Sequence, residues 1–220
     1  MDGNQTHPSE RFVRRPGDAV AAVAGLVVLG LGMVAVRNRS VSGLEEGAFH
    51  AVNDLPGALY PLLWPFQQVG ALAVGPILAL AAAIARRFRL AVAVVVATLA
   101  KLALERVVKA MVSRERPGTS IGPDAHLRGD VSSAGESFVS GHALLVTALA
   151  GLVAPYLPGR WKIVPWVMAG LVLVARVYVG AHNPLDVLCG AGLGLAVAGV
   201  LNLAFGVPGP AAPDDPPHEA

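Results

Sequence analysis

Residues 176–205 read RVYVGAHNPLDVLCGAGLGLAVAGVLNLAF. Beyond Asp186 the stretch reaches Phe205 without a charged residue, and Asn202 is its one strongly polar side chain. Apolar residues surround the whole helical circumference instead of forming one stripe. The run is also long enough for a bilayer-crossing helix, which needs roughly 20 residues. Pro184 stands where such a helix would begin, a position that favours proline because its missing N–H would have no partner there. A membrane-crossing helix over 184–205 is the first expectation.

Working outward, five more blocks of the same character appear at 19–36, 60–85, 90–112, 141–157 and 163–180. The block at 60–85 carries Pro65, Gln67, Gln68 and Pro76, which predicts a kink or break. The composition agrees: of 220 residues, 54% are hydrophobic and 15% charged, with a mean hydropathy of +0.58. A soluble domain would carry about 25% charged residues. The expected fold is all-α, an integral membrane six-helix bundle. Residues 1–18 are expected to form a disordered cytoplasmic N-terminus, 19–206 the six-span domain, and 207–220 a disordered C-terminal tail.

Several function classes drop out. The 17 Lys and Arg form no contiguous patch, so nucleic acid is not an expected partner. The single cysteine, Cys189, lies inside an apolar block, which excludes an intramolecular disulfide and a cysteine zinc site.

Sidedness follows from the distribution of positive charge. Arg11, Arg14, Arg15, Arg86, Arg87, Arg89, Arg160 and Lys162 lie in short segments that share one face in a six-span topology, together with both termini. That face is assigned to the cytoplasm. The opposite face has the two longest loops. In the first, Leu44, Ala48, Phe49 and Val52 recur near helical spacing with Glu45, Glu46 and Asn53 between them, predicting a short interfacial helix. The second, 113–140, is rich in Ser, Gly and Asp and reads as irregular.

Three polar clusters fall at the outer ends of spans: Lys109 with Arg116-Pro117, Ser140-Gly141-His142, and Arg176 with His182 and Asp186. Their chemistry suits a phosphoryl group. Arg116 and Arg176 offer planar forks and Lys109 a point charge. Ser140 and Gly141 precede a helix, where backbone N–H groups and the helix dipole favour an anion. Asp186 would fix the tautomer of His182 and leave its other ring nitrogen free to attack phosphorus. His142 would protonate the departing oxygen. No metal is expected, since the sequence lacks a carboxylate cluster for one, and no other cofactor is called for.

The three clusters, in this order and spacing, resemble the signature of the type 2 phosphatidic acid phosphatase superfamily over roughly residues 60–205. The resemblance implies a phosphohistidine formed on His182, with His142 as the acid. It implies phosphate binding by Lys109, Arg116 and Arg176, assisted by Ser140 and Gly141. The substrate it implies is a lipid phosphate or diphosphate monoester of the phosphatidate, phosphatidylglycerol phosphate or polyprenyl diphosphate type, met at the outer membrane interface. Two positions depart from the family pattern: Val139 stands where proline is usual and Ala175 where serine is usual.

Other readings follow from other residues. Lys101, Glu105 and Lys109 share a helix face at i, i+4 steps, and an internal ion pair explains them better than a transport pathway. A non-catalytic lipid-phosphate binder or a transporter using the same pocket is the alternative to an enzyme. The Ala- and Val-rich composition points to a bacterial inner membrane.

Overall fold

A computed structural model describes residues 11–38 and 40–209. The segments 1–10 and 210–220, most of the two predicted tails, lie outside the described residues. Among the described residues the chain forms helices α1 (Pro16–Ala35), α2 (Gly43–Asn53), α3 (Tyr60–Val69), α4 (Val74–Ile84), α5 (Phe88–Met111), α6 (Pro117–Ser120), α7 (Gly141–Val153), α8 (Val164–Tyr178) and α9 (Pro184–Phe205). Strand content is confined to a two-residue pair, β1 (Phe12–Val13) with β2 (Val207–Pro208).

Each predicted span coincides with helix. The helix α1, the run Gly159–Tyr178 and α9 are each long and apolar enough to cross a membrane. The predicted kink in the second block is a break: α3 and α4 meet at 61°. It falls at residues 70–73 and not at Pro65, which α3 absorbs. Pro76 sits in the first turn of α4, where a missing N–H breaks no helical bond. The helix α5 has 24 residues and carries Lys101, Glu105, Arg106 and Lys109. Lys101, Glu105 and Lys109 pair with one another, and Arg106 is exposed. The chain is an all-α integral membrane protein.

Close packing is achieved with small residues, as is common between membrane helices. α1 lies along α9, and α9 along α7. A Cβ at Gly25 would overlap the carbonyl of Gly192, so side chains at that crossing would force the helices apart. A second layer of Val94, Ala97, Leu145, Leu149 and Leu152 joins α5 to α7.

The ends of the described chain meet on one face. β1 precedes α1, β2 follows α9, and Phe12 aligns with Pro208. Arg14 Nε donates to the Leu203 carbonyl at 2.8 Å, and Arg15 holds the buried Asp18 through two hydrogen bonds. Residues 11–18 and 207–209, expected to be disordered tail, are therefore structured. The bonds of Arg14, Arg15 and the strand pair fasten them to the bundle.

The C-terminal ends of α5 and α8 and the N-terminal starts of α7 and α9 gather at the opposite end. Helix α2 covers this end. It is helical as predicted, but its polar residues do not all face water. Glu45 and Asn53 are buried, while Leu44 is 90% exposed. Asn53 exchanges hydrogen bonds with the backbone of His126 and donates to the Tyr178 carbonyl, pinning the 113–140 loop to the end of α8.

Candidate active site

Local sequence rules bring the three polar clusters to the covered end. Lys109 lies in the last turn of α5. Arg116 immediately precedes the proline that starts α6, so its backbone is extended. Next to it, Ser137 N–H donates to the Arg114 carbonyl at 2.7 Å, and Glu115 bridges Glu136. This short pairing holds the first cluster against the second.

Ser140 is the N-cap of α7, its hydroxyl accepting from the Ala143 N–H. Its own N–H is bonded to the Asp186 carbonyl at 3.0 Å. The Ser140 N–H is thus not available to an anion, contrary to the sequence expectation. The donors left in this turn are those of Gly141 and His142, which have no intrahelical acceptor. Gly141 is in close contact: a Cβ there would displace the Glu105 carboxylate. Glu105 in turn pairs with Lys101 at 2.8 Å and with Lys109 at 2.7 Å. The expected ion pair on α5 is a three-residue chain that fixes the Lys109 ammonium beside the start of α7.

Arg176 ends α8. Its Nη1 donates to Gln67 Oε1 at 2.7 Å, while its buried Nε has no hydrogen-bond partner among the described residues. Arg116 Nη1 reaches the Ala181 carbonyl at 3.4 Å. His182 follows in the α8–α9 turn and is 3% exposed. Burial holds its imidazole well below the ordinary pKa of 6.5, and Arg176, Arg116, Lys109 and His142 act in the same direction. Arg116 reaches the carbonyl next to His182, His142 and Arg176 share the wall of one cavity, and Glu105 holds Lys109 against the Gly141 turn.

His182 and Asp186 are paired as expected at ion-pair distance, but no direct hydrogen bond joins them. Nδ1 of His182 is 3.9 Å from Asp186 Oδ2, too far for a hydrogen bond. Ser137 lies between them: its hydroxyl is 3.3 Å from Nδ1 and donates to Asp186 Oδ2 in a short bond. If the hydroxyl donates to the carboxylate, it accepts from Nδ1–H, and the lone pair of His182 is left on Nε2. Asp186 also accepts from the Asn183 N–H at 2.8 Å and from Arg114 Nη1 at 2.8 Å.

Arg114 was not singled out by sequence reasoning, and neither were Ser137 and Glu45. Arg114 is 1% exposed and bonds Glu45 Oε2 at 2.5 Å as well as Asp186. Burial opposes its charge, but Glu45 and Asp186 outweigh that and raise its pKa. Glu45 closes the chain by accepting the Leu185 N–H at 2.9 Å, at the start of α9. The two departures from the family pattern are apolar fillers: Val139 and Ala175 are both 0% exposed and pack in core clusters.

Among the described residues, no group of three or more His, Cys, Asp or Glu side chains is arranged to hold a metal ion. A cavity of about 180 Å³ opens beside the centre, between α3 and the 128–131 loop, with His142 and Arg176 on its wall.

Residues 90–207, which carry every cluster just described, match the PAP2 superfamily. The chain belongs to the PAP2 superfamily. Among relatives, it is 32% identical over 115 residues to an undecaprenyl-diphosphatase of Sulfolobus acidocaldarius. That match covers 52% of this chain and 55% of the relative, so the chain spans about half the relative's length. Two solved PAP2-like folds superpose well. Aquifex aeolicus LpxE gives a TM-score of 0.67 at 23% identity, over 74% of this chain and 96% of that one. The first transmembrane PAP2 type phosphatidylglycerolphosphate phosphatase from Bacillus subtilis gives 0.65 at 20% identity, over 83% and 94%. At these identities the two structures establish a shared fold for this PAP2 protein.

Proposed function

We propose that this PAP2 protein is a membrane phosphatase that hydrolyses a lipid phosphate or diphosphate monoester through a phosphohistidine on His182. The observation that carries the proposal is a buried imidazole whose Nδ1 lies 3.3 Å from the Ser137 hydroxyl, in a turn that Arg116 reaches at the Ala181 carbonyl and that follows Arg176, whose buried Nε has no partner among the described residues. Glu105 balances Lys109, but no carboxylate is bonded to Arg116 or Arg176 among the described residues, and two guanidiniums at one end of the bundle favour an anion between them. The name of the Sulfolobus relative and the family itself point the same way.

In the first step, His182 Nε2 attacks phosphorus while the bond to the leaving oxygen breaks. His142, protonated, gives that oxygen its proton. The imidazolium formed on His182 is stabilised by Asp186 through the Ser137 hydroxyl. In the second step water attacks phosphorus, His142 takes the proton, the N–P bond breaks and inorganic phosphate leaves. Lys109, Arg116 and Arg176, with the N–H groups of Gly141 and His142, neutralise the phosphoryl oxygens in both steps. The domain responsible is the six-span bundle over 19–206.

We further infer that the site lies on the outer face of a bacterial inner membrane, with the chain ends on the cytoplasmic side. The positive segments at 86–89 and 160–162 support this orientation, as does the pairing of β1 with β2 at the end remote from His182. The function is tested by phosphate release from lipid phosphates in detergent with a chelator present. Release is expected to persist under those conditions, and no release from any lipid phosphate would leave the non-catalytic binder as the better reading.

A further inference from the structure

Helix α2 lies outside residues 90–207, the part of the chain that matches the family, yet it sends a carboxylate to the catalytic end. Glu45 Oε2 accepts from Arg114 Nη2 at 2.5 Å, and Oε1 accepts from the Leu185 N–H at 2.9 Å, one residue before Asp186. Arg114 donates from its other terminal nitrogen, Nη1, to Asp186 at 2.8 Å. The guanidinium therefore stands between two carboxylates, and all three groups are buried.

The net charge of this chain of groups bears on His182. Arg114 and Asp186 alone would be neutral together, and Asp186 would offer little field to an imidazolium formed on His182. Glu45 takes up the positive charge of Arg114, so Glu45, Arg114 and Asp186 together carry one net negative charge. Burial strengthens its effect, because the effective dielectric around it is far below that of water. Glu46, Glu115 and Glu136 are exposed, so solvent screens them. From the other elements, His182 is faced by Lys109 on α5, Arg116 before α6, His142 on α7 and Arg176 on α8, all of which oppose its protonation.

We propose that Glu45 is a positioning residue for the nucleophile. By holding Arg114 it leaves Asp186 the negative charge needed to orient His182 through Ser137 and to stabilise the imidazolium. The inference rests on the phosphatase reading given above, and it makes α2 part of the active site and not only its cover.

The test follows the acid limb of kcat/KM for one lipid phosphate, with the full chain in mixed micelles, in wild type and in Glu45→Gln. Glutamine keeps an acceptor for the Leu185 N–H, so the change is chiefly one of charge, and the variant is expected to fold. With one negative charge gone the protonated ring loses support. The limb is expected to move to lower pH by about one unit, and kcat to fall about tenfold with KM changed little. In the double variant Glu45→Gln/Arg114→Gln, Asp186 alone supplies the one net charge, and the limb should return toward its wild-type position. The single variant is decisive where the double does not fold. A merely structural role would lower the thermal midpoint or the activity and leave the limb in place. An unmoved limb in folded Glu45→Gln, a shift to higher pH, or a folded double variant that stays at the shifted position overturns the inference and leaves the phosphatase intact. No phosphate release by the wild-type chain from any lipid phosphate overturns both.

Discussion

The Ser137 hydroxyl stands 3.3 Å from His182 Nδ1, between that imidazole and the carboxylate that would otherwise orient it. Asp186 therefore acts on His182 through a serine. Ser137→Ala removes the link without removing either end and leaves a small void in a buried place. The expected effect is a fall in kcat of about 10- to 100-fold, with KM changed little, the range seen when a partner that orients a functional histidine is removed. Steady-state kinetics with thermal unfolding of the same variant checks it: unchanged kcat in a folded protein would show that Ser137 does not relay.

Arg114 and Asp186 form an ion pair from which water is excluded on both sides, at 2.8 Å. Removing one partner of such a pair strands the other, at a cost of about 3–5 kcal/mol. Arg114→Ala is thus expected to lower the thermal midpoint strongly and to reduce the yield of folded protein. Glu45→Gln keeps a hydrogen-bond acceptor for the Leu185 N–H and should cost less. Equal stability of Arg114→Ala and the unaltered chain, by unfolding in detergent, would contradict this arrangement.

The pH dependence follows from the environment of His182. Its pKa lies below 6.5 in the folded protein, so the imidazole stays neutral and nucleophilic as the pH falls through 6.5. The acid limb of kcat/KM assigned to the enzyme is expected below pH 6.5, once the ionisation of the substrate is titrated separately. Arg176→Gln removes a cation that opposes protonation, so the limb should move to higher pH. The same shift has a consequence for folding. An unfolded chain binds a proton on this histidine at a higher pH than the folded one, so its contribution to stability is present above 6.5. That contribution is lost as pH falls toward the folded value.

Gly141→Ala tests the start of α7. The added methyl would collide with the Glu105 carboxylate and move it, and with it the Lys109 ammonium. Activity is expected to drop by about 100-fold, in line with the cost of misplacing a group by roughly 1 Å. Phosphate release by the purified variant at wild-type rates would show that the turn has more room than the structure gives it.

The sequence made the catalytic ends readable because the informative residues are adjacent to features with their own signals. Arg116 precedes a proline, His142 follows a cap serine and a glycine, and Asp186 falls in a first helical turn after Pro184. The spans are readable because a membrane helix is apolar on all sides. Glu45, Arg114 and Ser137 were not readable. Glu45 looks like the wet face of an amphipathic helix, Arg114 like one more charge in a loop, and Ser137 like a loop serine. What each does depends on a partner 45 to 72 positions away, as with Ser137 and His182 or Arg114 and Asp186. The break between α3 and α4 was announced by prolines but begins at Gly70, whose missing side chain leaves room for His142, a contact the sequence does not show.

The central claim is that phosphorus is transferred to His182. Rapid quenching of the purified chain with a radiolabelled lipid phosphate tests it most directly. The account predicts a label on protein that is stable to alkali, labile to acid, and mapped to the peptide containing His182, with neither label nor turnover in a folded His182→Ala variant. Turnover by His182→Ala at the wild-type rate, or a label on another residue, would contradict it.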